Sequence, residues 1–173
     1  KFTTDDGLDI NGYITLPADL TPNKKAPMVV MIHGGPHNVR DYWSFDSEVQ
    51  LFANRGYAVL QINYRGSGGY GDTFQEAGYL QWGGKMIQDI IDGTQYAIDS
   101  YPIDEGRMCL YGASYGGYAA LMTAVRAPDS YNCAIGYVGI DDLNYAYTES
   151  DTMKSMGGEA YLNMAIGLSL KHI

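Results

Sequence analysis

The sequence predicts an α/β fold, a mostly parallel and doubly wound sheet with an antiparallel hairpin at its N-terminal end. Three observations carry this. Residues 28–32, Met-Val-Val-Met-Ile, form an apolar run without alternation, the pattern of a strand that helices cover on both faces. Residues 57–62 and 108–111 repeat that pattern, and residues 133–138 repeat it more weakly. Between these runs, Met86, Ile87, Ile90, Ile91, Ala97 and Ile98 recur at the spacing of one helical face. Strand and helix therefore alternate, which is how parallel strands joined by crossover helices look in a sequence.

Taken in order, Leu8, Ile10, Ile14 and Leu16 alternate with Asp9, Asn11, Tyr13 and Thr15, as in a half-buried antiparallel strand. Asp5-Asp6-Gly7 supplies a turn before it, so residues 2–4 are expected to pair with it as a hairpin. Pro17, Pro22 and Pro27 bracket a polar loop. Phe45, Val49 and Phe52 mark a helix that stops at Gly56, and the helix through Met86 starts at about Lys85. Ala119, Ala120, Leu121, Met122, Ala124 and Val125 mark another, which ends before Pro128. Beyond Asn144 the pattern weakens; residues 159–171 read as helical, although Gly157, Gly158 and Gly167 work against it. No separate second domain is expected.

A chain of 173 residues buries roughly 70% of its unfolded surface as one domain, without needing a disulfide or metal staple. The net charge of -9, from 11 basic and 20 acidic residues, argues against nucleic acid or an anionic membrane as a partner, because phosphate binding requires clustered Lys and Arg. No apolar run approaches the roughly 18 residues that span a bilayer. The opening KFTTDD has neither the basic segment nor the apolar core of a signal peptide. It begins at Lys1, inside a strand pattern, and so reads as a piece of a longer polypeptide whose compartment stays open. Cys109 and Cys133 each lie in a short apolar run and are expected as buried, reduced thiols.

LYGASYGGYAAL, residues 110–121, contains G-x-S-x-G at Gly112, Ser114 and Gly116, between an apolar strand and a helix. A catalytic serine there needs a sharp turn that lifts its hydroxyl clear of the sheet, and the two glycines remove side chains that would collide in such a turn. The next amide, that of Tyr115, falls at a helix N-terminus, where unpaired N–H groups favour a developing oxyanion. Ser114 is the candidate nucleophile and the Tyr115 amide the first oxyanion donor.

HGGPH, residues 33–37, follows the strand at 28–32, where an α/β-hydrolase places its second oxyanion donor. Pro36 has no N–H, so the Gly35 amide is the candidate, with the His33 side chain beside it; His37 reads as a loop residue. Three histidines without an accompanying acidic set give no metal-ligand spacing. Gly66-Ser67-Gly68-Gly69-Tyr70-Gly71 matches G-x-G-x-x-G, but residues 72–84 show neither the helix nor the following strand that a dinucleotide site requires. A glycine-rich loop bordering the active site is expected, and no cofactor.

HGGPH, NYRGSGGYGDTF (residues 63–74) and GASYGGYAAL (residues 112–121) together resemble the catalytic domain of the prolyl oligopeptidase family, nearest its acylaminoacyl-peptidase and dipeptidyl-peptidase branches. The likeness runs over residues 1–142. It implies an α/β-hydrolase fold, a serine peptidase acting on peptides through Ser114, and an oxyanion hole of Tyr115, Gly35 and His33. It also implies an N-terminal β-propeller before residue 1 and a C-terminal segment after Ile173 that carries the remaining strands, the triad Asp and its His. Residues 1–173 are then one partial domain, inactive alone, with an exposed sheet edge that favours a homo-oligomer. Asp141 or Asp142 followed by His172 has the triad order, but without a strand between them they are the lesser candidates. Two alternatives stand beside the peptidase: a carboxylesterase, and a non-catalytic binding module of the same fold.

Overall fold

β3 (Ala26–Ile32), β4 (Ala58–Asn63) and β5 (Ile103–Ala113) form the parallel centre of the sheet, on the three apolar runs. In this computed structural model, which describes residues 1–140 and 142–167, every residue of β4 is buried. β6 (Cys133–Tyr137) continues the sheet in parallel beyond β5. On the other side, β2 (Asp9–Thr15) pairs antiparallel with β4 and with the short β1 (Phe2–Thr3). The order is β1-β2-β4-β3-β5-β6, a mostly parallel sheet with an antiparallel hairpin at one side.

The pleat sends alternate side chains to opposite faces. Val30, Leu60, Ile62 and Leu110 enter a core shared with Met86, Ile87 and Ile90 of α3 (Lys85–Ser100) and with Ala119 and Ala120 of α4 (Tyr115–Arg126). Gly93 lets α3 sit close to the sheet: a Cβ there would come within 2.6 Å of Ile62 and 3.0 Å of Phe2. The opposite face is covered by α1 (Ser47–Ala53), whose Phe52 ring stands 6.0 Å from that of Tyr111 and whose Glu48 accepts the Tyr111 hydroxyl at 3.1 Å. α1 is only seven residues long, and Ile135 and Tyr137 of β6 remain 51% and 60% exposed.

Three local expectations change. α1 starts at Ser47 because Asp46 Oδ1 accepts the Glu48 and Val49 amides at 2.9 Å, which leaves Phe45 ahead of the cap and 82% exposed. A short α2 (Asp72–Glu76), anchored by buried Phe74, opens directly after Gly71, where only loop is expected. The tail folds into α5 (Leu143–Thr148), α6 (Asp151–Lys154) and α7 (Gly158–Ala165); residues 168–171 of the expected last helix lie outside the described residues.

The cysteines are a correction. Cys109 and Cys133 are register partners across β5 and β6, with Cα atoms 4.7 Å apart, and form a disulfide rather than two buried thiols. The apolar runs around them are real, but Cys109 is half-buried and Cys133 exposed on the thinly covered face. The parallel pairing that makes them neighbours is not visible in either run alone.

A cluster of ion pairs ties the hairpin turn to the loop after β4 and to α3. Arg65 donates from N, Nε and Nη2 to the buried Asp89 carboxylate at 2.7 to 2.9 Å, and from Nη1 and Nη2 to Asp6 at 2.8 and 3.0 Å. Lys85 reaches Asp6 at 2.6 Å. Hydrogen bonds from Arg65 and Lys85 hold the Asp6 carboxyl well below the usual carboxylate range.

Candidate active site

Ser114 stands where β5 gives way to α4, with φ 56° and ψ -124°, a left-handed conformation that costs a non-glycine residue energy. Its neighbours leave little choice. A Cβ on Gly112 would collide with the Gly116 carbonyl, and one on Gly116 would collide with Ile32 O and lie 2.9 Å from His33 O. The turn is therefore pressed against the end of β3. The Ser114 N–H donates to Tyr137 O of β6 at 3.0 Å, and its carbonyl accepts the Gly117 and Tyr118 amides at 3.0 and 3.2 Å. Among the described residues no acceptor takes the Tyr115 N–H at the head of α4. The Tyr115 side chain is fully buried, edge-on to Trp82 at 4.8 Å and donating to Trp82 O at 2.9 Å.

The loop of residues 33–37 arrives beside this serine. A Cβ on Gly34 would lie 3.4 Å from Ser114 Cβ and 3.0 Å from Ala113 O. Gly35 takes φ +111°, its amide has no acceptor among the described residues, and its carbonyl is approached by the Tyr161 hydroxyl of α7 at 3.5 Å. Ser114, Tyr115 and the loop from His33 to Gly35 are thus brought together. His33 stacks on Tyr64 at 4.4 Å, and its Nε2 lies 2.9 Å from Ser67 Oγ and its Nδ1 2.8 Å from Gly34 O. Burial pushes its pKa down to about 4, so the ring is neutral. His37 Nδ1 is bonded to Gly66 O at 3.3 Å, and burial lowers its pKa as well.

Neither histidine points a ring nitrogen at the Ser114 hydroxyl, which also does not cap α4. Asp142 Oδ1 caps α5, accepting the Asn144 and Tyr145 amides at 2.8 and 3.3 Å. Asp141 and His172 lie outside the described residues. Sequence reasoning missed Tyr64, Ser67 and Tyr161, which surround the oxyanion loop. Ser67 had a signal, since it sits inside the second glycine motif.

A mostly parallel sheet with a strained serine at a strand-to-helix turn defines the class, an α/β-hydrolase. A family model described as "Prolyl oligopeptidase family" matches residues 43–166, and the chain belongs to that family. It is 41% identical to dipeptidyl aminopeptidase BIII of Pseudoxanthomonas mexicana over 145 residues, 80% of this chain and 21% of the relative. It is 33% identical to dipeptidyl peptidase family member 6 of Caenorhabditis elegans, over 82% of this chain and 22% of that one. Among solved structures, Pyrococcus horikoshii acylaminoacyl peptidase superposes with a TM-score of 0.84 at 28% identity, over 97% of this chain and 26% of that one. A puromycin-hydrolyzing peptidase of Mycobacterium tuberculosis gives 0.84 at 30% identity, over 95% and 25%. The chain therefore spans about a fifth to a quarter of the length of these relatives.

Proposed function

We propose that this chain is the catalytic α/β-hydrolase portion of a serine peptidase that hydrolyses oligopeptides through an acyl-enzyme on Ser114. One observation supports the reading: Ser114 at the strand-to-helix turn, the Tyr115 N–H at the start of α4, which has no acceptor among the described residues, and Gly34, whose Cβ would lie 3.4 Å from Ser114 Cβ, are neighbours. Ser114 Oγ adds to the substrate carbonyl carbon, and the oxygen that becomes negative is taken by the Tyr115 and Gly35 amides. The amine leaves with a proton from the general base, and water then hydrolyses the ester. The base and its acid partner are residues other than the described ones, since His33, His37 and Asp142 are engaged elsewhere.

The names of the relatives, aminopeptidases and dipeptidyl peptidases among them, support a peptide substrate. Their greater length supports an N-terminal β-propeller and a C-terminal segment in the whole protein. The open edge of β6, with Ile135, Tyr137 and Val138 exposed, supports self-association of residues 1–173, which light scattering would register as dimers.

The test uses the full-length protein. Stoichiometric labelling by a fluorophosphonate probe, lost in Ser114→Ala, together with turnover of a peptide anilide, supports the reading. Turnover of a short acyl ester alone favours a carboxylesterase, and no labelling or turnover favours a non-catalytic module. With the base supplied from outside them, residues 1–173 alone should be labelled about 10⁴- to 10⁶-fold more slowly; rapid labelling of this piece would favour His172 as the base.

A further inference from the structure

Two consecutive residues at the end of β4 hold the oxyanion loop from its two ends. At the near end the Tyr64 hydroxyl donates to His33 O at 2.8 Å, a direction fixed by the carbonyl, which can only accept. The same hydroxyl lies 3.1 Å from His33 Nδ1, so both of its contacts are with that residue, whichever ring nitrogen is protonated. At the far end the Asn63 side chain meets the Asp41 backbone twice: Oδ1 accepts the Asp41 N–H at 2.8 Å and Nδ2 donates to Asp41 O at 3.1 Å. Nδ2 also donates to the Tyr70 hydroxyl at 2.8 Å. Asn63 and Tyr64 are both fully buried, so water does not replace these partners.

The loop needs anchors of this kind. Gly34 and Gly35 have no side chains, and glycine has the widest backbone freedom of any residue, so that pair cannot set its own geometry. His33 O and Gly34 Cα lie in one peptide plane, and the bond from Tyr64 therefore pins the plane that ends at Gly34. Gly34 is the residue pressed on the serine, with a Cβ there 3.4 Å from Ser114 Cβ, and the next plane carries the Gly35 N–H. The Tyr64 ring stacks on His33 at 4.4 Å and lies 5.6 Å from the ring of Tyr115, whose N–H is the other donor. Between the two ends, the Gly68 N–H donates to Val39 O at 2.9 Å.

We propose that Tyr64 and Asn63 are positioning residues for the oxyanion hole: the Tyr64 hydroxyl on His33 O and the Asn63 amide on Asp41 clamp the loop of residues 33–41 and so hold the Gly35 N–H beside Ser114. This rests on the reading of Ser114 as nucleophile. The oxyanion exists only in the transition state and the tetrahedral intermediate, so a loosened clamp raises the barrier and leaves substrate binding alone.

The full-length protein tests it. Tyr64→Phe keeps the ring and removes only the hydroxyl. Its kcat for a peptide anilide should fall by at least about 5-fold with KM within about 2-fold, a part of the roughly 10²- to 10³-fold that outright loss of an oxyanion donor costs. A peptide aldehyde forms a tetrahedral adduct whose oxygen enters the hole, so its inhibition should weaken by the same factor as kcat/KM; an uncleavable peptide should bind as it does to wild type. A hydroxyl that served stability alone would lower the melting temperature and leave both ratios unchanged. Asn63→Ala, at the other end of the loop, should give the same pattern, and it decides the matter if Tyr64→Phe does not fold. A folded variant of either kind that loses less than about 5-fold in kcat, loses on KM alone, or binds the aldehyde as tightly as wild type overturns the proposal. Loss of folding in both also counts against it, because the residues would then serve the core rather than the site. Failure of the nucleophile reading looks different: the wild-type protein itself would then take no fluorophosphonate.

Discussion

Gly34 and Ser114 are packed so closely that the space between them belongs to neither: a methyl group on Gly34 would sit 3.4 Å from Ser114 Cβ and 3.0 Å from the carbonyl of Ala113. Gly34→Ala must therefore move the oxyanion loop or the serine by a few tenths of an ångström. In the full-length protein the expected result is a kcat lower by about 10- to 100-fold with a small change in KM, because displacement of the reacting groups raises the barrier without removing substrate contacts. Anilide kinetics on the purified variant check it.

The disulfide joins strands whose cysteines are 24 positions apart. Closing a loop of that length stabilises the folded state by about 3 kcal/mol through the unfolded chain. The double variant Cys109→Ser, Cys133→Ser should lose about that much in a urea titration, and the wild-type protein should lose a similar amount in reductant.

Asp89 is fully buried with Arg65 on both of its oxygens. Truncation leaves the buried guanidinium with the partly exposed Asp6 as its remaining carboxylate partner. Asp89→Ala is expected to cost about 3 to 5 kcal/mol, measurable by chemical unfolding.

Asp41 has one carboxylate oxygen, Oδ2, that is buried without a partner, and burial raises its pKa to about 6. The unfolded carboxyl, with an ordinary value near 3.8, releases its proton first as pH rises. The folded state therefore loses stability between about pH 4 and pH 6. His33 works in the opposite sense: its folded pKa near 4 lies below the ordinary 6.5, so stability is lost as pH falls between those values. Comparing Asp41→Asn with wild type isolates the first effect. The variant should gain about 2 kcal/mol relative to wild type on passing from pH 4 to pH 7, read from thermal melts across that range.

The central strands and the long helix were legible because their burial is written in local composition: the run at Met28 has no polar member, and Ile87, Ile90 and Ala97 share one face of α3. Ser114 was legible because its turn needs glycine at fixed offsets. Phe45 misled, since helical spacing says nothing about a cap, and Asp46 decided the boundary. The cysteines misled for a different reason. Their partnership depends on which strands lie side by side, a relation between segments far apart in sequence. Ser67 and Tyr64 belong to the same category: their contact with His33 exists only after β3 and β4 are paired.

The serine and its oxyanion donors also differ in how they assemble. β5, α4 and β6 form a right-sized βαβ unit from Ile103 to Tyr137, closed at its base by Cys109–Cys133 and at its top by the bond from Ser114 N to Tyr137 O. Its contacts are short in sequence and cheap in loop-closure entropy, so this unit is expected to form early. Gly35 arrives on β3, from much further back along the chain. A folding order of this kind would give the nucleophile's turn its Tyr115 N–H before the Gly35 donor arrives, so the chain would pass through states that own a serine and half of an oxyanion hole.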